Sequence, residues 1–83
     1  MSRFERLLNR FLKNPDSIKF KKIEKILLHL KFQKAGIKGS HHTFSHPLIH
    51  QTFSIPVHSN DCKKVYKKEI AKLIIENLNL LEL

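Results

Sequence analysis

Phe4, Leu7, Leu8, Phe11 and Leu12 recur at i, i+3, i+4, i+7 and i+8, the apolar stripe of an amphipathic helix over Phe4–Lys13. Asn14-Pro15 ends it, because a residue before proline is pushed out of the helical region. Asp16 or Ser17 is then placed to cap a second helix, whose buried face is Ile23, Ile26, Leu27 and Leu30. Beyond it the period changes from 3.6 to 2. Phe32–Ile37 reads as a strand, Lys38-Gly39-Ser40 as a turn, and His41–His46 as a second strand. After a loop at Pro47, Gln51–Val57 reads as a third strand with Phe53, Ile55 and Val57 toward the core. Pro56 has no N–H to give a ladder, so this strand has a free edge or ends there. Asn60-Asp61 offers a cap for a last helix, lined inside by Tyr66, Ile70, Leu73, Ile74 and Leu78.

The order helix, helix, strand, strand, strand, helix predicts an α+β domain. Short connections make the strands an antiparallel meander, with helices on one face and the other toward water. The 83 residues form a single domain too small for a deep, enclosed substrate cavity. Strand alternation turns Phe44 inward with His42 and His46, and sets His41, Thr43 and Ser45 on the open face. His50 falls in the loop and His29 on the exposed flank of the second helix.

Charge narrows the class of partner. Sixteen Lys and Arg against seven Asp and Glu leave a net charge of +9, which favours a polyanion such as RNA or DNA, or an acidic protein. Residues 39–60 carry no Lys, Arg, Asp or Glu, yet they hold five of the six histidines. Lys63, Lys64, Lys67 and Lys68 crowd the start of the last helix, where they add to the positive end of its dipole and favour phosphate contact. Lys34 and Lys38 are the candidate phosphate-binding lysines near the central turn. No apolar run approaches the ~20 residues of a membrane span. The charged N-terminus lacks the apolar segment of a secretory signal, and the lone Cys62 fits a reducing compartment. A soluble, cytoplasmic protein without membrane partners is expected.

His42, His46 and His50 recur every four residues, and Cys62 lies four beyond His58. On a helix such spacing suits zinc. Pro47 interrupts the run and the pattern around Phe44 is that of a strand, so no metal site and no cofactor are expected. By its own pattern, His41 is an exposed strand residue with no assigned chemistry.

The run Lys38–Pro47 (KGSHHTFSHP), followed by Ile55–His58 (IPVH) and a lysine-rich last helix, resembles the HicA-type toxins of bacterial toxin–antitoxin systems. The resemblance takes residues 17–80 as the core and residues 1–14 as an extra N-terminal helix. It implies a fold like the double-stranded-RNA-binding domain, metal-independent cleavage of mRNA, and neutralisation by a HicB-type antitoxin. It also implies that His41, directly after Gly39 and Ser40, is catalytic, with those two residues forming the supporting turn. The family's glycine before the first strand is replaced by Lys31, which implies a different end to the second helix.

RNA cleavage without metal needs a base for the ribose 2′-hydroxyl, an acid for the leaving 5′ oxygen and cations for the phosphorane. Histidine suits either proton role because its ordinary pKa is about 6.5, and lysines supply the electrostatic part. His41 is the expected acid or base. His58, at a strand end near the same edge, is the candidate second group. The alternative is a non-catalytic module of the same fold that holds double-stranded RNA by its shape.

Overall fold

Ser2 and Glu5 start the first helix. In the computed structural model, which describes residues 1–83, α1 runs Arg3–Lys13. Ser2 Oγ accepts the Glu5 N–H at 3.1 Å and Glu5 Oε1 accepts the Ser2 N–H at 3.2 Å, a reciprocal capping box. Leu8 and Phe11 carry its buried stripe.

Asp16 and Ser17 do not cap the second helix, contrary to expectation. They belong to a short 3₁₀ turn, Pro15–Ser17, and α2 begins only at Phe20 and runs to His29. Lys19 at its N-cap offers no side-chain acceptor. The acceptor arrives from the far end of the chain: Asp61 Oδ1 takes the Phe20 N–H at 3.0 Å. Ile23, Ile26, Leu27 and Leu30 are buried as the periodicity requires.

A Schellman motif ends α2. The Lys31 N–H donates to the Leu28 carbonyl at 3.1 Å and the Phe32 N–H to the Leu27 carbonyl at 3.0 Å. Lys31 takes a φ of 76°, so the helix end is of the glycine type, and lysine is held in a conformation that L side chains disfavour. The expected change of helix end does not occur.

The sheet follows, with β1 (Gln33–Lys38), β2 (His41–His46) and β3 (Ile49–Pro56) in that spatial order and antiparallel throughout. Gly39, at φ 63°, turns β1 into β2. β1 begins one residue later than expected, because Phe32 closes the Schellman motif. β3 begins two residues earlier than expected, which places His50 on that strand rather than in a loop. Its ladder with β2 is irregular between Phe44 and His46, and His50 projects to solvent there. A bulge at Ala35 interrupts β1: Lys34 pairs with Phe44, but the next pair is Gly36 with Thr43.

α3 spans Lys64–Glu76 and packs Ile70, Ala71 and Ile74 inward. Asp61 does not cap it, and neither does any other side chain. Leu78 is exposed, and Leu81 is the late leucine that reaches the core. Phe11, Ile23, Ile26, Leu27, Phe44, Ile70 and Ile74 are the largest fully enclosed side chains. They lie between the helices and one face of the sheet, so the other face is left open.

His46 fastens the helical layer to the sheet. Its Nε2–H donates to the Leu30 carbonyl at 2.9 Å, and its Nδ1 accepts the Leu48 N–H at 3.1 Å. Both ring nitrogens are committed, and the tautomer follows from the partners.

Lys31→Gly is expected to raise folding stability by roughly 0.5–1 kcal/mol, because glycine reaches this φ without a Cβ clash. A denaturant melt of the two proteins checks it, and a variant no more stable than the parent contradicts the strain at this position.

Candidate active site

The open face is built in rows across the three strands. Lys38, His41 and Pro56 form the row nearest the turn, since the ladder pairs His41 with both neighbours. Directly opposed residues share a face and sit about 5 Å apart at Cβ. The next row holds Gly36, Thr43 and Ser54, and Thr43 Oγ1 lies 2.8 Å from Ser54 Oγ. His41 is exposed, and neither a hydrogen bond nor an ion pair engages its ring.

The turn before His41 is anchored from the third strand. Pro56 cannot donate, and the ladder resumes one residue on, where the Val57 N–H donates to the Ser40 carbonyl at 2.8 Å. His58 follows at once. It exchanges backbone hydrogen bonds with Asp61, at 2.8 and 3.0 Å, around a tight turn with Ser59 and Asn60 at positive φ. Pro56, His58, Asp61, Cys62, Lys63 and Tyr66 line a shallow cleft of about 320 Å³. Through Pro56 this cleft adjoins the His41 row. Lys38, His41, His58 and Lys63 are thereby gathered at one end of the sheet.

The other candidate lysines separate. Strict alternation sets Lys34 and Lys38 on one face, but the bulge at Ala35 divides them. Lys34 turns to the helical side, where its Nζ lies 3.0 Å from Glu24 Oε2. Lys67 is buried, 4 % exposed, and its Nζ meets Asp61 Oδ1 at 3.0 Å. Neither ammonium stands beside His41, and burial removes Lys67 from any phosphate-binding surface. Lys64 is exposed at 3.9 Å from Asp16 Oδ2, a pairing too solvated to contribute much. Lys68 faces solvent.

His42 sits edge-on against Phe20, with its Nδ1 3.7 Å from Glu24 Oε2. His42, His46 and His50 do not converge, and no three His, Cys, Asp or Glu side chains gather closely enough to hold a metal. Burial pushes the Cys62 thiol up; Lys67 opposes the shift and Asp61 adds to it. A protonated thiol is a poor nucleophile.

Asp61 holds this end of the molecule together. Its Oδ1 accepts from Phe20 N–H, from Cys62 N–H at 2.9 Å and from Lys67 Nζ. Burial alone raises its carboxyl. The Lys67 hydrogen bond, the Cys62 and Phe20 amides and the Lys67 charge outweigh that, and the net position lies below the ordinary 3.8. Periodicity assigned Asp61 to capping α3 and missed this role. A signal was present, since Lys67 falls on the stripe of Ile70, Ala71 and Ile74, where a cation requires an anion.

No helix is long and apolar enough to cross a membrane. A protein-family model described as the HicA toxin of bacterial toxin–antitoxin systems matches residues 20–75, more than half of the chain. No curated protein and no solved structure matches.

A carboxyl whose folded pKa is depressed contributes stability above its unfolded value, and that contribution is lost as the pH falls through the folded one. The parent is therefore expected to lose stability as the pH drops below 3.8, with Asp61 among the groups responsible. Asp61→Asn is expected to cost roughly 2–4 kcal/mol near neutral pH, because it leaves the Lys67 ammonium buried without its counter-charge. Its stability should also vary less with pH below about 4. Thermal melts from pH 7 to pH 2 on both proteins test this, and parallel curves remove Asp61 from the account.

Proposed function

We propose, because this chain belongs to the HicA toxin family of bacterial toxin–antitoxin systems, that it is an endoribonuclease that cleaves mRNA without a metal ion, with His41 as its principal proton-transfer residue. The observation that carries the reading is the His41 ring itself. It is exposed on the open sheet face, free of any hydrogen bond, and opposite Lys38 across the ladder.

The chemistry follows from that row. A ribose–phosphate chain laid over the open face brings a 2′-hydroxyl and its adjacent phosphorus to the imidazole. Histidine takes the 2′-hydroxyl proton, the 2′ oxygen attacks phosphorus, and a cyclic 2′,3′-phosphate forms as the bond to the 5′ oxygen breaks. That oxygen leaves with a proton from the second group, for which His58 is the candidate. Lys38 and Lys63 stabilise the negative charge that builds on the phosphorane. Thr43 and Ser54, in the next row, offer hydroxyls to the sugar–phosphate backbone. Gly39 and Ser40 hold the turn from which His41 projects, with Ser40 secured through its carbonyl by Val57.

The biological setting is that of a cytoplasmic toxin held inactive by a HicB-type antitoxin. An antitoxin that covers the open face removes His41 and Lys38 from RNA together.

His41→Ala is expected to lower RNA cleavage about 10²–10⁴-fold, the usual contribution of a positioned acid or base, while leaving RNA affinity within a few-fold of the parent. Cleavage by the parent should persist in a chelator. Gel assays on a defined transcript, with and without chelator, measure both quantities. Undiminished cleavage by the variant removes His41 from the mechanism, and a parent that binds RNA without cutting it supports a binding module instead.

A further inference from the structure

The two N-terminal helices form a basic surface that the site above does not use. Arg3, Arg6 and Arg10 are spaced i, i+3 and i+7 on α1, and Lys22, Lys25 and His29 repeat that spacing on α2. Each set makes one stripe along its helix. Phe4 stacks on His29, with ring centroids 3.7 Å apart and planes inclined by 17°. The start of α1 therefore lies beside the end of α2, so the helices run antiparallel and their stripes face one another. Together the six line an open groove of about 560 Å³ that contains no carboxylate.

Acidic residues exist on these helices, but each is engaged elsewhere. Glu5 closes the capping box with Ser2, and Glu24 turns to the sheet, toward Lys34 and His42. No ion pair reaches Arg3, Arg6, Arg10, Lys22 or Lys25, and the one side-chain hydrogen bond among these five runs from Arg6 to the Met1 carbonyl at 3.3 Å. Two facing rows of like charge repel one another, and folding brings them together. An arrangement of that kind is stabilised by an external anion.

We infer that this groove is a second RNA-binding site, which holds the phosphate backbone of single-stranded RNA away from the cleavage site. Three features favour RNA over an acidic protein. The guanidiniums ascend α1 over about 10 Å, a length that a few consecutive phosphates cover, and each presents a planar fork that suits phosphate oxygens. The Phe4–His29 stack at the groove's end gives a base a flat surface to lie on. The groove also belongs to the helical layer, whereas His41 lies on the open face of the sheet, so an RNA strand bound there leaves the cleavage row free. Half of the groove comes from α1, outside residues 20–75 that match the family. The chain thus supplements the family core with its own anchoring surface.

The inference rests on RNA being the substrate, and the experiment keeps the two apart. Arg3→Gln, Arg6→Gln and Arg10→Gln are introduced together into full-length protein carrying His41→Ala, so that the probe survives. Binding of a fluorescent oligouridylate of about 20 nucleotides is followed by anisotropy from about 50 to 300 mM salt, a range over which phosphate binding weakens steeply. The triple change should weaken binding at least about tenfold at low salt. It should also reduce the slope of log affinity against log salt by about 2, since each phosphate neutralised on a single strand adds about 0.7 to that slope. Circular dichroism should be unchanged, because all three positions are exposed. Polyglutamate of matched charge should displace the probe poorly. Equal affinity and slope with and without the arginines overturns the proposal, and so does displacement by polyglutamate as effective as by unlabelled RNA. If His41→Ala fails to stop cleavage while the arginines still govern binding, the catalytic assignment falls and the groove stands.

Discussion

A single carboxylate oxygen ties the start of α2 to a loop and a helix some forty residues further along the chain. Asp61 Oδ1 receives the first free amide of α2, the amide of Cys62, and the ammonium of Lys67 from the buried side of α3. A lysine at 4 % exposure is untenable without an anion beside it, and a helix whose N-cap is Lys19 lacks its own acceptor. One residue meets both needs. The same Asp61 pairs by its backbone with His58. The loop that borders the His41 row is therefore fixed from the interior, through a charge that the core requires, rather than by contacts on its own exposed surface.

That arrangement decides where the excess positive charge goes. Lys67 and Lys34 are drawn to Asp61 and Glu24 and act within the fold. Lys38 and Lys63 remain at the end of the sheet, where the His41 row and the adjoining cleft meet. Arg3, Arg6, Arg10, Lys22 and Lys25 have no carboxylate among them and stand along the helical groove. A net charge of +9 thus has at least three destinations, and burial closes Lys67, in the first of them, to a polyanion. The bulge at Ala35 is the small feature that separates them. Without it, Lys34 and Lys38 share a face.

Local signals made most of the architecture legible from the residues alone. The stripe Phe4, Leu7, Leu8, Phe11, Leu12 marks α1, and alternation around Phe44 marks β2 with its correct faces. The resemblance carried by Lys38–Pro47 and Ile55–His58 agrees with the family match over residues 20–75. What escaped was non-local or conformational. The cap of α2 lies 41 residues away from Phe20, beyond any window of periodicity. Lys31 holds a glycine's conformation because the following Phe32 must be buried and must close the Schellman motif. Lys67 stands in a run of surface lysines, although its spacing from Ile70 and Ile74 sets it on the inner stripe. In the candidate site, alternation placed His41 on the open face, but the neighbourhood of His58 and Lys63 depends on a turn with two residues at positive φ, which composition does not announce.

The histidine-rich centre shows how one residue type acquires different roles from its surroundings. At His46 both nitrogens are bonded, one to a helix-end carbonyl and one to a strand-turn amide. A ring in that state cannot exchange a proton without releasing a structural hydrogen bond. His42 lies against Phe20, with Glu24 nearby but beyond hydrogen-bonding distance. Its Nδ1 is buried against the helical layer, and the ring as a whole is half-buried. His41 differs from its neighbour by one step of the strand, which is enough to reverse its face. Proton transfer needs a nitrogen that no protein group already occupies and that a substrate can reach. Among the histidines of β2, His41 is the most exposed, because Phe44 must face inward and takes His42 and His46 with it.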